Sequence, residues 1–249
     1  LLQAASAIGK GFPYSLLEAI AEQPDDTLRR ALAHLQEAEF LYETQLFPDS
    51  EYTFKHALTH EVTYGGLLQE RRKTLHAQIV TAIERLYADR LSEQVERLAH
   101  HALRGALWQQ AMRYSRQAGN RALDRSALRE ALAAFDQARV ALQELPESQE
   151  RTEQHIDLYF EQRNALYPLG EFARLDAVLN EASALAEAIG DQRRLGRALV
   201  YQALVYSLLG EHARAIEAGG CACRIAEALG NFELHDVANH SLGLALWWS

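Results

Sequence analysis

Pro168-Leu169-Gly170-Glu171-Phe172-Ala173-Arg174 returns 40 residues later as Leu208-Leu209-Gly210-Glu211-His212-Ala213-Arg214. At the same interval, Leu185-Ala186-Glu187-Ala188-Ile189-Gly190-Asp191 returns as Ile225-Ala226-Glu227-Ala228-Leu229-Gly230-Asn231. Glycines punctuate Ala/Leu/Glu-rich runs in both copies. A period of this length marks a helical solenoid, in which each helix pair buries its apolar side only by stacking on its neighbours. Such an architecture points toward holding or sensing another molecule rather than toward catalysis.

Working outward from these copies, the 3.6-residue apolar pattern predicts helices over 91–104, 107–124, 126–144, 150–167, 171–189, 192–209, 211–229 and 232–248. Gly105, Gly170, Gly190, Gly210 and Gly230 stand where these helices end, as residues that tolerate positive φ should. Residues 1–90 lack the period. Three short helices are expected there, one ending near Gly9, one over 14–22 and one over 25–39, the last opened by Pro24-Asp25-Asp26. Residues 40–44 and 52–56 read as β-prone runs around the turn cluster Phe47-Pro48-Asp49-Ser50, hence a hairpin. A long helix over 67–87 follows. Three helices and a hairpin make a winged-helix arrangement. The expected fold is therefore an all-α solenoid over 89–249 preceded by a small winged-helix-like domain with one β-hairpin over 1–88.

The repeat resembles the tetratricopeptide motif, in a variant with longer helices. Ala131, Phe135 and Ala138 match its small-large-small series, with Gly119 at the tight position of the preceding helix. Ala215 and Ala222 match the small positions of a later second helix. Leu242-Gly243 reads as opening a further unit, and Leu175 departs from the pattern where Ala is expected, though Ala182 fits. Small residues at a crossing let helix axes approach to about 8–10 Å. At a wider scale, Phe54-Lys55-His56-Ala57-Leu58, Leu67-Leu68, Arg71-Arg72, Leu75-His76, Leu98-Ala99-His100-His101 and Ala118-Gly119 resemble the segment behind the ATPase core of bacterial STAND-type signalling proteins. In these, a winged helix and a helical sensor follow an ATPase switch. Many carry a class III adenylate/guanylate cyclase domain at the N-terminus, and others are transcription activators. The resemblance implies a non-catalytic, cytoplasmic interaction or sensor segment, with catalytic domains upstream.

Composition narrows the partners. The 249 residues carry 25 Lys+Arg against 34 Asp+Glu, a net charge of −9, with −4 in residues 1–90 and −5 in the rest. That balance argues against a generally nucleic-acid-binding or polybasic membrane-binding surface. Two cysteines, Cys221 and Cys223, exclude a disulfide framework and suit a reducing compartment. There is no run of about 18 apolar residues. The chain starts without Met inside an apolar helical pattern and ends on Trp247-Trp248-Ser249, which reads as a piece of a longer protein. A last repeat without a polar capping helix should show Leu242, Leu246 and Trp247 or Trp248 to solvent and favour self-association through that helix.

No catalytic, metal or cofactor constellation emerges. Gly9-Lys10-Gly11 lacks the first glycine and the hydroxyl of a phosphate-binding loop, since positions 4 and 11 are Ala and Gly. His56 and His60 are four apart, but Ala57 replaces the glutamate that the zinc-protease order needs. His56 is expected to pack or hydrogen-bond across the hairpin–helix junction. His100 and His101 point about 100° apart on a helix. Cys221 and Cys223 form C-x-C rather than C-x-x-C and read as small residues buried at a crossing. The third helix carries Arg29 and Arg30 among Asp25, Asp26, Glu37 and Glu39, a poor match to DNA phosphates.

What remains is the face formed by the first helix of each pair, which lines the groove of tetratricopeptide proteins. Taken residue by residue, that face holds Arg116 and Asn120, then Phe160, Asn164 and Tyr167, then Arg197, Leu204 and Leu208, then His240 and Leu244. Arg116 and Asn120 resemble two members of the clamp some such proteins use for a peptide carboxylate, but Glu161 stands where an Asn would be expected. A mixed polar and apolar groove for a protein segment or a small effector is the reading this face supports; the alternatives are a fragment of a DNA-binding transcription activator and a purely structural helical scaffold.

Overall fold

The computed structural model describes residues 1–45 and 49–247, and the chain divides into two units, Leu1–Ser115 and Arg116–Ser249. In the first unit α1 (Leu2–Ile8), β1 (Gly11–Pro13), α2 (Tyr14–Ala21), α3 (Asp25–Glu37), β2 (Leu41–Gln45) and β3 (Glu51–Phe54) follow one another. Then come α4 (Ala57–Gly65), α5 (Gln69–Leu86), a 3-10 turn (Ala88–Gln94), α6 (Val95–Arg104) and the start of α7 (Trp108–Asp124). The expected hairpin is the antiparallel pair β2–β3. The tip of its predicted turn, Phe47-Pro48, lies outside the described residues. The sheet has a third strand that the sequence pattern missed. β1 pairs with β3, with Phe12 opposite Tyr52, in the order β1-β3-β2. Three residues are too few to show alternation, and Pro13 suits an edge, where its missing N–H costs no ladder bond. Phe12 is buried and stands edge-on to Phe54, and β1 packs on α2, whose Leu16, Leu17 and Ile20 are buried as well.

Two further details of this unit differ from expectation. The strand predicted to run to His56 ends at Phe54, and α4 occupies residues with no amphipathic signal, buries none of them, and packs on α1. His56 is exposed at its N-cap. The residue that packs across this junction is His60, whose ring lies 5.1 Å from that of Phe54 and whose Nε2 is 3.0 Å from the Ser6 carbonyl. Gly105 ends α6 at φ −82, not in the left-handed region. A Cβ there would stand 3.0 Å from the Ala77 amide of α5, so this glycine serves close helix approach rather than a turn.

The second unit holds the end of α7, then α8 (Leu128–Gln143), α9 (Gln149–Leu169), α10 (Phe172–Ala188), α11 (Gln192–Leu208), α12 (His212–Leu229) and α13 (Phe232–Trp247), all within two residues of the periodicity reading. Successive helices pack in pairs, a helical solenoid with its only strands in the first unit among the described residues. Gly170, Gly190, Gly210 and Gly230 close four helices with φ between 59 and 75. Ala131, Ala138, Ala182, Ala215 and Ala222 are fully buried, and so is the off-pattern Leu175. The Phe135 ring lies where a Gly119 side chain would begin, 2.4 Å from an ideal Cβ. Two more tight crossings were not read from the sequence. A Cβ on Gly196 would stand 2.7 Å from the Leu234 side chain, and one on Gly219 would stand 3.2 Å from that of Leu242. Leu242 thus packs into this crossing rather than showing itself to solvent, while Gly243 faces open space. Cys223 is buried as expected, but Cys221 is only half-buried and accepts from the Arg224 guanidinium at 2.9 Å. Leu246 and Trp247 are exposed, and Trp248 lies outside the described residues.

Candidate functional site

On α9, Phe160, Arg163, Asn164 and Tyr167 share one helical stripe, being three, four and seven residues along. On α11, Arg193, Arg197 and Tyr201 share another at intervals of four. The two stripes meet. The Phe160 and Tyr201 rings stand edge to face with centroids 5.7 Å apart. The Arg197 guanidinium lies 4.6 Å from the Phe160 ring centre and 5.5 Å from that of Tyr201. Arg163 lies 4.4 Å from the Tyr201 ring and 5.2 Å from the Tyr167 ring. Arginine and aromatic side chains therefore alternate across the face: Tyr167, Arg163, Tyr201, Arg197, Phe160. Contacts of this kind hold a guanidinium charge close to the electron-rich face of a ring.

Next to this ladder, α11 and α13 enclose a cavity of about 330 Å³ lined in part by Arg193, Arg197, Tyr201, Asn231, Glu233 and Val237. Asn231 caps α13, accepting from the Leu234 amide at 3.1 Å. Gly196 lets Leu234 of α13 come down on α11, so the small residue at the crossing also sets the cavity's width.

The residues expected on the groove face fall into three groups. Phe160, Asn164, Tyr167 and Arg197 belong to or border the ladder; Phe160 is buried beneath Arg197 and Asn164 accepts from Arg163 at 3.3 Å. Arg116 is engaged elsewhere. Its Nε reaches both Glu161 oxygens at 2.8 and 2.9 Å, so the carboxylate that breaks the clamp pattern in the sequence occupies the clamp's arginine in the structure. Glu161 in turn raises the Arg116 pKa. Asn120 is half-buried on α7 and His240 is exposed on α13. The sequence reading missed Arg163, Arg193 and Tyr201. The signal was available, since each lies three or four residues from a residue it did single out.

Charge sets these arginines apart. Arg194 binds Asp157 through two nitrogens at 2.9 Å each and Asp191 at 2.6 Å, bonds that raise its pKa. Arg174 holds Asp136 at 2.7 Å. Among the described residues, Arg163, Arg193 and Arg197 have no carboxylate within ion-pair reach.

A second cluster lies in the first unit. His76 on α5 and His101 on α6 are 1% and 2% exposed and join Nδ1 to Nδ1 at 2.8 Å. Tyr64 is 2.9 Å from His76 Nε2 and accepts from Arg104 at 3.0 Å. One Nδ1 must donate and the other accept, and burial keeps both imidazoles neutral. Burial pushes the His76 pKa down to about 4 and that of His101 to about 2, with neighbouring Arg104 acting in the same direction. Among the described residues no three His, Cys, Asp or Glu are grouped to hold a metal ion, and no helix is long and apolar enough to cross a membrane.

No family model matches the chain. Over 139 residues it is 30% identical to an uncharacterized protein of Rhizobium meliloti (strain 1021), a segment that makes up 55% of this chain and 13% of that protein. The crystal structure of a Signal Transduction ATPase with Numerous Domains (STAND) protein with a tetratricopeptide repeat sensor, from Pyrococcus horikoshii, aligns with 99% of this chain at a TM-score of 0.47 and 12% identity. The chain spans 47% of that structure's length and a much smaller share of the Rhizobium protein.

Proposed function

We propose that the solenoid is a non-catalytic interaction or effector-sensing segment of a multidomain signalling ATPase of the cyclase-linked kind, and that its ligand, a protein segment or small effector, lies on the α9–α11–α13 face. In this reading residues 1–88 form a winged-helix-like connector, supported by the order α1-β1-α2-α3-β2-β3, and residues 89–249 the sensor. The observation that carries the reading is the ladder. Five side chains form one continuous run of cation–π and edge-to-face contacts on one face, with an adjoining cavity between α11 and α13. Aromatic and arginine side chains pre-ordered in this way are the residues that dominate binding interfaces.

The transcription-activator alternative fits less well. Arg29 of α3 is tied to Asp25 at 2.9 Å and lies over Tyr14, and Arg30 bonds the Asp26 carbonyl of its own helix. The test is selection of binders from a random heptapeptide display library, followed by affinity measurement on Tyr201→Ala. Binders should lose about tenfold in affinity when this central ring is removed. Binders indifferent to Tyr201→Ala, or none tighter than about 100 μM, would overturn the proposal.

A further inference from the structure

We infer that the partner of this face is an acidic peptide segment, bound extended across α9, α11 and α13 with its carboxylates on Arg163, Arg197 and Arg193. This rests on the proposal that the face is the ligand site and names what the site selects.

Three observations carry it. The first is the spare donor capacity. A guanidinium has five N–H donors in a plane. Arg197 spends one of them, Nε on the Tyr201 hydroxyl at 3.0 Å, and Arg163 spends one on Asn164. Among the described residues the other N–H groups of both have no protein partner, and a pair of such groups is what a carboxylate binds in two-point fashion. The rings fix each guanidinium before the ligand arrives, so little side-chain freedom is lost on binding.

The second is charge placement in a chain of net charge −9. Arg193 and Arg197 stand one turn apart on α11, where like charges repel. The two α9 carboxylates Asp157 and Glu161 are turned to other cations, Asp157 to Arg194 and Glu161 to Arg116. Glu233 is the one carboxylate lining the cavity among the described residues, against two arginines, so the cavity stays net positive. An anionic ligand would complete a charge pattern that the chain leaves open.

The third is extent. Side chains of α9 meet those of α11, and α11 packs on α13, so the row runs over three helices. A small dianion would meet one arginine or two, whereas a peptide can reach the whole row and set one side chain in the cavity beside Val237.

The experiment uses the whole chain and an immobilised array of hexapeptides carrying zero to four Asp or Glu, each paired with its Asn or Gln counterpart. Affinity should rise about tenfold for each of the first two carboxylates and fall between about 50 and 200 mM salt. Arg163→Gln and Arg197→Gln should each remove about tenfold from acidic peptides and leave amide peptides unchanged, with thermal melting by circular dichroism confirming that both variants fold. Arg197→Lys should recover only part of the loss, because an ammonium neither stacks nor binds a carboxylate at two points. Equal binding of acidic and amide peptides, or indifference to both glutamine variants, overturns the inference. So does citrate binding as tightly as the best peptide, which would make a small anion the occupant. If the random library yields neutral binders that depend on Tyr201, this inference falls while the proposed function stands; if it yields none, both fall.

Discussion

Lowering the pH should loosen the α5–α6 contact well before the carboxylates of the chain titrate. His76 and His101 share a single proton-mediated contact at 2.8 Å with almost no access to water. Both have folded pKa values below the ordinary 6.5, at about 4 and about 2. A depressed imidazole pKa means that the unfolded chain binds the proton more readily. Stability from these groups is therefore complete above about pH 6.5 and lost as the pH falls below it. Each group costs about 1.4 kcal/mol per pH unit in this range. Between pH 6.5 and 5.0, both remain neutral in the fold, so the loss is about 1.6 kcal/mol each and about 3 kcal/mol together. Nothing surrounding the pair offsets this, because Arg104, Arg97 and Arg72 are cations that disfavour a further positive charge. The assay is amide hydrogen exchange over α5 and α6, corrected for the intrinsic pH dependence of exchange. Depressed His100 adds in the same direction, and Asp25 and Glu39, whose pKa values are lowered by Arg29 and Lys55, contribute only at lower pH. His101→Gln can still accept the His76 proton but does not titrate, so it should remove about half of the slope. An opening free energy for α5 and α6 that stays level from pH 6.5 to 5.0 would refute the neutral-pair reasoning.

Three further outcomes follow from packing and charge. Gly119→Ala should destabilise the second unit by about 1–3 kcal/mol in denaturant unfolding, because its methyl would enter the buried Phe135 ring, whereas Gly243→Ala, in open space, should stabilise by about 1 kcal/mol through helix propensity. Ala131→Leu, Ala215→Leu and Ala222→Leu, all at fully buried crossings, should each cost about 1–3 kcal/mol, more than the same change at an exposed helix position. Duplex DNA should not bind tighter than about 10 μM near 150 mM salt in an anisotropy titration, and micromolar binding with a steep salt slope would restore the transcription-activator reading.

The helices of the second unit were legible because their code is local. Apolar spacing sets each helix, and a glycine in the left-handed region ends four of them, so the boundaries of α8 to α13 could be written from the chain alone. Gly119, Ala131, Phe135 and Ala138 were legible too, since a repeat motif records in its residue sizes where helices cross. Local code fails where an element is short or lacks amphipathic spacing. β1 exists because β3 offers it a free edge, and α4 because α1 covers one side of it; neither reason is written in those residues. Gly105 shows the same limit, as its role depends on the backbone of Ala77, more than twenty residues away.

The candidate site divides along the same line. Helical periodicity by itself singled out Phe160, Asn164, Tyr167 and Arg197, which the structure brings into or beside one arginine–aromatic cluster. It could not say which arginines are free, because an arginine's state depends on carboxylates brought near by folding. Arg116 lies 45 residues from the Glu161 that occupies it, and Arg194 lies 37 from Asp157. Arg163 and Arg197 look no different from these in the sequence, yet they lie over rings and, among the described residues, keep N–H groups without a protein partner. The buried histidine pair, 25 residues apart, arises in the same way. Spacing along one helix decides direction; only packing between helices decides what each side chain meets, and so its charge, its freedom and its chemistry.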